Sequence, residues 1–259
     1  MHYTAWEYFF LLGGGFLAGI INTLAGNGSA ITLPLLLSMG MDANTANATN
    51  RVGVLLQTFT AVASIKRTAQ SKILIKESVW YYIPTILGSV GGALLAIDVH
   101  PDILELIIGL LMIFVLITLL LKPKKWLIDT NPEKKKRTPT QWFIFFAIGF
   151  YGGFIQMGIG ILILSSLVLL VHYSLQDGNV IKLFVAFVMI IPAFVIYVIS
   201  GQIQWLPGIV LAIGASAGAW FGMRFVLYHP KAGVYIRYLL ITIVTFAIAK
   251  ILYPYVPLF

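Results

Sequence analysis

The sequence predicts an all-α integral membrane protein of about eight transmembrane helices. They form two parallel four-helix repeats, with broken helices at Gly26-Asn27-Gly28 and Gly158-Ile159-Gly160. Three observations predict this. Of 259 residues, 59% are hydrophobic and 10% charged, against roughly 25% charged in a soluble domain, so the chain lacks the charge to cover a surface facing water. Apolar runs of spanning length recur along the chain, and features of the first half return in order in the second. The chain has no cysteine, which excludes disulfides, thiolate metal sites and a cysteine nucleophile.

Taken in order, the spans fall at 6–25, 45–64, 79–97, 103–121, 142–157, 180–200, 206–227 and 234–252. Each is near the roughly 20 residues that a hydrocarbon core requires. Two shorter apolar stretches, 30–37 and 161–171, are half-spans or re-entrant segments. Met1-His2-Tyr3-Thr4-Ala5 has neither a basic leader nor a small-residue cleavage pattern, so the first helix is expected to stay in the mature protein.

Basic residues set the orientation. Lys66, Arg67, Lys72 and Lys76 share one connection, and Lys122, Lys124, Lys125, Lys134, Lys135, Lys136 and Arg137 share the mid-chain loop. Together they are eleven of the 17 basic residues. Two spans separate these loops, so both lie on one side, which the positive-inside rule assigns to the cytoplasm. Eight spans then put both termini of a multi-pass protein in the cytoplasm. The basic loop is a solvated topology determinant and not a nucleic-acid patch. Arg224, Lys231 and Arg237 are the cations of the opposite side.

Four features recur at nearly one spacing. Gly26-Asn27-Gly28 returns as Gly158-Ile159-Gly160 at an offset of 132, and Asn50-Arg51 as Ile181-Lys182 at 131. The run from Gly88 to Ala93 returns as Gly214 to Ala219 at 126, and His100-Pro101 as His229-Pro230 at 129. Residues 1–121 are therefore read as the first repeat, 122–141 as the cytoplasmic linker and 142–259 as the second repeat. An even number of spans per unit makes the repeats parallel, one of the symmetry classes of secondary transporters.

The glycine elements interrupt apolar segments. Backbone unpaired at membrane depth survives only where protein or a water-filled cavity covers it. Ser29 is placed to cap the short helix that follows the first break, whose amide end would favour an anion. Close helix packing by small residues is the other reading of these glycines. Arg51 lies about eight residues into its helix, roughly 12 Å deep. Asn44, Asn47 and Asn50 precede it at three-residue spacing, a polar stripe that should face the protein interior. Lys182 follows Asp177, the expected cap of its helix. Both cations could snorkel, or together hold a small anion. Asn22 and Gln156 precede the two breaks as donors or acceptors. The substrate-binding set is thus Asn22, Gly26, Asn27, Gly28, Ser29, Asn50, Arg51, Gln156, Gly158, Gly160 and Lys182, and replacing Arg51 by Ala should abolish transport while leaving folding intact. The clusters around Gly88 and Gly214 read as packing faces.

All nine acids fall near helix ends or in loops, which argues against a cation channel with an acidic ring. No carboxylate cluster or His-x-x-x-His suggests a metal. No cofactor is implied, and no acid/base constellation suggests an enzyme. The partners expected are a small anion and the lipid bilayer, without nucleic acid; self-association as a homo-oligomer stays open.

The stretch from Gly19 to Pro34 carrying Gly26-Asn27-Gly28, the helix start Asn47-Ala48-Thr49-Asn50-Arg51, and Gly149-Phe150-Tyr151-Gly152-Gly153-Phe154 followed by Gly158-Ile159-Gly160 and Lys182 resemble the two repeats of the sulfite exporter TauE/SafE family. The resemblance covers nearly the whole chain. It implies an inner-membrane secondary transporter that exports small sulfur-containing anions such as sulfite, sulfoacetate or related organosulfonates, coupled to the proton gradient. An anion channel and a carrier of a small carboxylate are the alternatives.

Overall fold

A computed structural model describes residues 3–120 and 138–224, with 238, 241, 242 and 245. Most of the expected last span at 234–252, most of the linker at 122–141 and His229-Pro230 lie outside the described residues. Nine helices and no strand occur among them: α1 (Ala5–Ala25), α2 (Ser29–Ser38), α3 (Ala43–Ala63), α4 (Ala69–Asp98), α5 (Pro101–Leu120), α6 (Pro139–Phe154), α7 (Ile159–Leu169), α8 (Leu175–Ile199) and α9 (Trp205–Arg224).

Short polar caps start these apolar helices. Thr4 with Glu7, Thr68 with Ser71 and Thr138 with Gln141 each form a reciprocal capping box, which satisfies amides that have no partner in the first turn. Asp42 accepts from the Thr45 amide to start α3. Ser174 starts α8 and accepts from the amide of Asp177, so Asp177 sits in the first turn and is not the cap expected of it. The Thr68 box also moves the start of α4 ten residues ahead of the expected 79. At 30 residues α4 is about 45 Å long, so its first turns, with Lys72, Lys76 and Glu77, can extend past the roughly 30 Å of hydrocarbon.

Helices α1, α4, α8 and α9 contain windows long and apolar enough to cross a membrane. Their exposed faces carry large apolar groups, among them Phe9, Ile83, Ile199 and Ile213, as lipid contact requires. The chain is a multi-pass, all-helical membrane protein.

Because lipid is as apolar as leucine, helices in a membrane associate through close packing, and two glycine seams provide it. Gly15 and Gly19 of α1 meet the backbone of α9 at Leu211, Ala215 and Ala219, while Gly214 and Gly218 of α9 meet the backbone of α1 at Leu12 and Phe16. Gly88 and Gly92 of α4 meet α6 at Phe146 and Phe150, and Gly149 and Gly153 of α6 meet α4 at Thr85 and Ser89. A Cβ at Gly92 would collide with the Phe150 carbonyl oxygen, and one at Gly218 with that of Phe16. The glycine clusters are packing faces, as expected.

The seams cross the middle of the chain. Helix α9 packs on α1 and α3, and α4 packs on α6 and α8. Two bundles result: α1, α2 and α3 with α9, and α6, α7 and α8 with α4. Each takes its fourth helix from the other half of the sequence. The bundles meet where α3 lies against α8.

Candidate functional site

The two chain breaks lie back to back at the centre. Helix α1 ends at Gly26, whose φ of 73° is left-handed, a conformation glycine reaches without strain. The second break runs from Ile155 to Gly158, with positive φ at Gln156 and Gly158. It therefore lies ahead of the expected position, and Gly160 falls inside the first turn of α7. The Gly160 amide donates to the Gly26 carbonyl at 3.0 Å, joining the start of α7 to the end of α1. A Cβ on either glycine would overlap the other's backbone, so this crossing requires both.

A helix end at membrane depth leaves carbonyls that water cannot reach, and each end receives a cation from the opposite half. Arg51 of α3 donates to Gly152 O at 2.7 Å, Gly153 O at 2.8 Å and Gln156 Oε1 at 3.2 Å. Asn47 donates to Phe154 O at 2.8 Å and to the Tyr197 hydroxyl at 2.9 Å. Tyr197 donates to the same α6 terminus, and its ring lies under the guanidinium at 4.8 Å. Reciprocally, Lys182 of α8 donates to Thr23 O near the end of α1 at 3.2 Å. Positive charge at a helix C-terminus is stabilising. Arg51 is fully buried and Lys182 is 1% exposed, so neither snorkels. The stripe of Asn44, Asn47 and Asn50 is also buried and faces the interior as expected.

Ser29 does not cap α2, whose cap position is Gly28, a residue with no side chain to accept from the first turn. Ser29 is already the first helical residue, and its Oγ accepts from Asn50 Nδ2 at 3.2 Å. Asn50 Oδ1 accepts from Thr32 at 2.6 Å, which fastens α2 to α3. The amide of Gly28 reaches Asn22 Oδ1 at 3.4 Å.

Next to the crossing is a narrow cavity with room for little more than a water molecule. Six of the expected site residues line it: Asn22, Gly26, Ser29, Gln156, Gly160 and Lys182. Asn27, Gly28, Asn50, Arg51 and Gly158 lie outside the lining. Asn27 is fully buried with neither side-chain atom hydrogen-bonded, and Gln156 Nε2 is likewise unpaired. Thr58, Val54, Ile159, Leu183 and Ala186 also line the cavity and were not expected there. Thr58 is legible as a polar group within an apolar helix; the four apolar residues are not distinguishable by sequence from core. Among the described residues no group of His, Asp or Glu could hold a metal ion.

The sequence profile described as Sulfite exporter TauE/SafE matches residues 11–251. The probable membrane transporter protein ORF9 of Sinorhizobium sp is 29% identical over 242 residues, covering 93% of this chain and 90% of that protein. The probable membrane transporter protein YfcA of Escherichia coli K12 is 28% identical over 240 residues, covering 92% and 86%. The probable membrane transporter protein YunE of Bacillus subtilis is 25% identical over 230 residues, covering 80% and 83%. No solved structure matches at a significant level.

Proposed function

The chain belongs to the sulfite exporter TauE/SafE family, whose members are membrane transporters and not enzymes, and we propose that it exports small sulfur-containing anions across the inner membrane by alternating access. The observation that carries this reading is the cavity beside the crossed breaks, where a buried lysine, the unpaired amide nitrogen of Gln156 and the helix ends converge. Paired discontinuous helices near the midplane are how many secondary carriers build a substrate site. Sulfite enters from the family's description; organosulfonates or a small carboxylate would meet the same donors.

The two halves are copies of one unit, with residues 122–141 as linker. Two reciprocal relations support this: the glycine-seamed pairing of α1 with α9 against that of α6 with α4, and each buried cation on the other half's helix end. The bodies that move are then the exchanged bundles and not the sequence halves, because prising α1 from α9 would break backbone-level packing. Motion instead occurs where α3 meets α8, between Arg51 and Lys182. The conformation described here is closed, since its cavity cannot hold a sulfonate. Both termini and the basic linker lie in the cytoplasm, and the proton gradient drives export.

The test is a proteoliposome flux screen of sulfite, thiosulfate, sulfate, sulfonates and small carboxylates, with and without a pH gradient. Saturable flux of sulfite or a sulfonate, driven uphill by the gradient, is the expected result. Strictly downhill, non-saturating flux would indicate a channel, and no flux of any sulfur anion would refute the reading.

A further inference from the structure

We propose that Gln156 reads the oxygens of the substrate's anionic head through an amide that Arg51 turns toward the cavity; this rests on the transport reading above and names a specificity residue of that site. Gln156 stands in the second break with a φ of 67°, which a residue with a Cβ adopts only where its surroundings impose it. It is 2% exposed and lines the cavity.

The two ends of an amide are not equivalent: the oxygen accepts and the nitrogen donates. Arg51 Nη1 donates to Gln156 Oε1 at 3.2 Å, and a turned amide would set two donors against each other, so the guanidinium fixes the orientation. Nε2, buried and without a partner among the described residues, is therefore the end left for a ligand. Arg51 also holds Gly152 O and Gly153 O, so the orientation lasts as long as that cap does. All of these acceptors are neutral oxygens and leave the charge of Arg51 uncompensated. An anion at Nε2 meets that charge through one polarised amide, which makes Arg51 a positioning residue.

The neighbouring groups face the same way. Asn22 Oδ1 accepts from the Gly28 amide at 3.4 Å, which again leaves the nitrogen as the open end. Ser29 Oγ accepts from Asn50 Nδ2 at 3.2 Å, so its own proton is available to donate. Lys182, an ammonium with three N–H donors, gives one of them to Thr23 O. Of the polar side chains in this wall only Thr58 is reversed, its hydroxyl donating to Val54 O at 2.8 Å. Donors facing inward suit deprotonated oxygens. A head group that carries its own N–H, such as a sulfonamide, meets donor against donor at Gln156 and is rejected, because the buried polar groups of both are left unpaired.

Gln156→Glu and Gln156→Met separate this role from a structural one. Gln156→Glu keeps the length and pairs a carboxylate with a guanidinium that is already buried, but its second oxygen replaces the donor with negative charge at the wall. Gln156→Met keeps the length and removes the amide. Thermal melts should therefore place Gln156→Glu at or above wild type and Gln156→Met below it. Tracer uptake of sulfite and of methanesulfonate, the shortest alkanesulfonate, into proteoliposomes of the full chain should follow a different order. Wild type should be fastest and Gln156→Met slower, with Gln156→Glu slowest, at least about tenfold below wild type, because like charges then face each other. A purely structural glutamine predicts uptake that follows stability. That order, or undiminished uptake by a folded Gln156→Met, would overturn the proposal and leave transport standing. Failure of Gln156→Glu to fold would mean that the amide oxygen does not face Arg51, and overturns it too. Wild-type uptake of neither anion, nor of any other in the screen, would overturn the transport reading and this proposal with it.

Discussion

Arg51→Ala is the sharpest perturbation of the crossing. The guanidinium makes three hydrogen bonds in a fully buried setting. Its removal orphans Gly152 O and Gln156 Oε1, while Gly153 O keeps a long bond from the Tyr197 hydroxyl at 3.3 Å. At about 1–3 kcal/mol for each of the two orphaned buried acceptors, plus about 1 kcal/mol for the lost ring contact, the loss comes to roughly 3–7 kcal/mol. For a chain of this size each kcal/mol shifts the melting temperature by about 2–4 °C, so the variant should melt roughly 6–28 °C below wild type. Intrinsic tryptophan fluorescence of detergent-solubilised protein reads this out, and Arg51→Lys should fall between the two because an ammonium cannot fork across two carbonyls. This reverses the expectation from sequence that folding would survive Arg51→Ala. An unchanged melting temperature together with lost substrate binding would refute the capping role and make Arg51 a ligand.

Gly92→Ala and Gly218→Ala each push a methyl into a backbone carbonyl of the facing helix and should cost about 1–3 kcal/mol or more, whereas Gly13→Ala, where a Cβ meets nothing, should be neutral or stabilising; thermal melts of the three separate seam from surface. Gly26→Ala combines a φ of 73° with overlap on Gly160 and should abolish the folded, monodisperse peak in size-exclusion chromatography. Tyr173, in the loop between α7 and α8, donates to Glu77 Oε2 at 2.9 Å, and burial raises its hydroxyl pKa above the ordinary value of 10.0. The folded chain therefore holds this proton where the unfolded chain releases it, so the stabilisation is complete below pH 10 and is lost as pH rises through the folded pKa. Tyr173→Phe should flatten that alkaline decline in melting temperature.

Much of this was legible in the sequence, and the missing parts have physical causes. The Asn44, Asn47 and Asn50 stripe had to be buried because three amides cannot face lipid, and interrupted apolar runs had to be covered breaks. Both glycine clusters read correctly as packing surfaces. The targets of Arg51 and Lys182 did not: apart from Gln156 Oε1 they are main-chain carbonyls of Gly152, Gly153 and Thr23, which any residue would supply. The exchange of α4 and α9 between bundles was equally hidden, since a glycine seam shows that a helix has a close neighbour without naming it. Ser174 and Asp177 are both good capping residues, and only the backbone angles choose Ser174.

Ligand protection of a thiol at position 29 tests the substrate site most directly. The chain has no cysteine of its own, so Ser29→Cys puts a single reactive group in the cavity wall. In reconstituted vesicles a small water-soluble thiol reagent should label it slowly, and saturating methanesulfonate should slow that labelling several-fold. Labelling at one rate with and without methanesulfonate, in protein that still transports it, would contradict the placement of the substrate beside the crossed breaks.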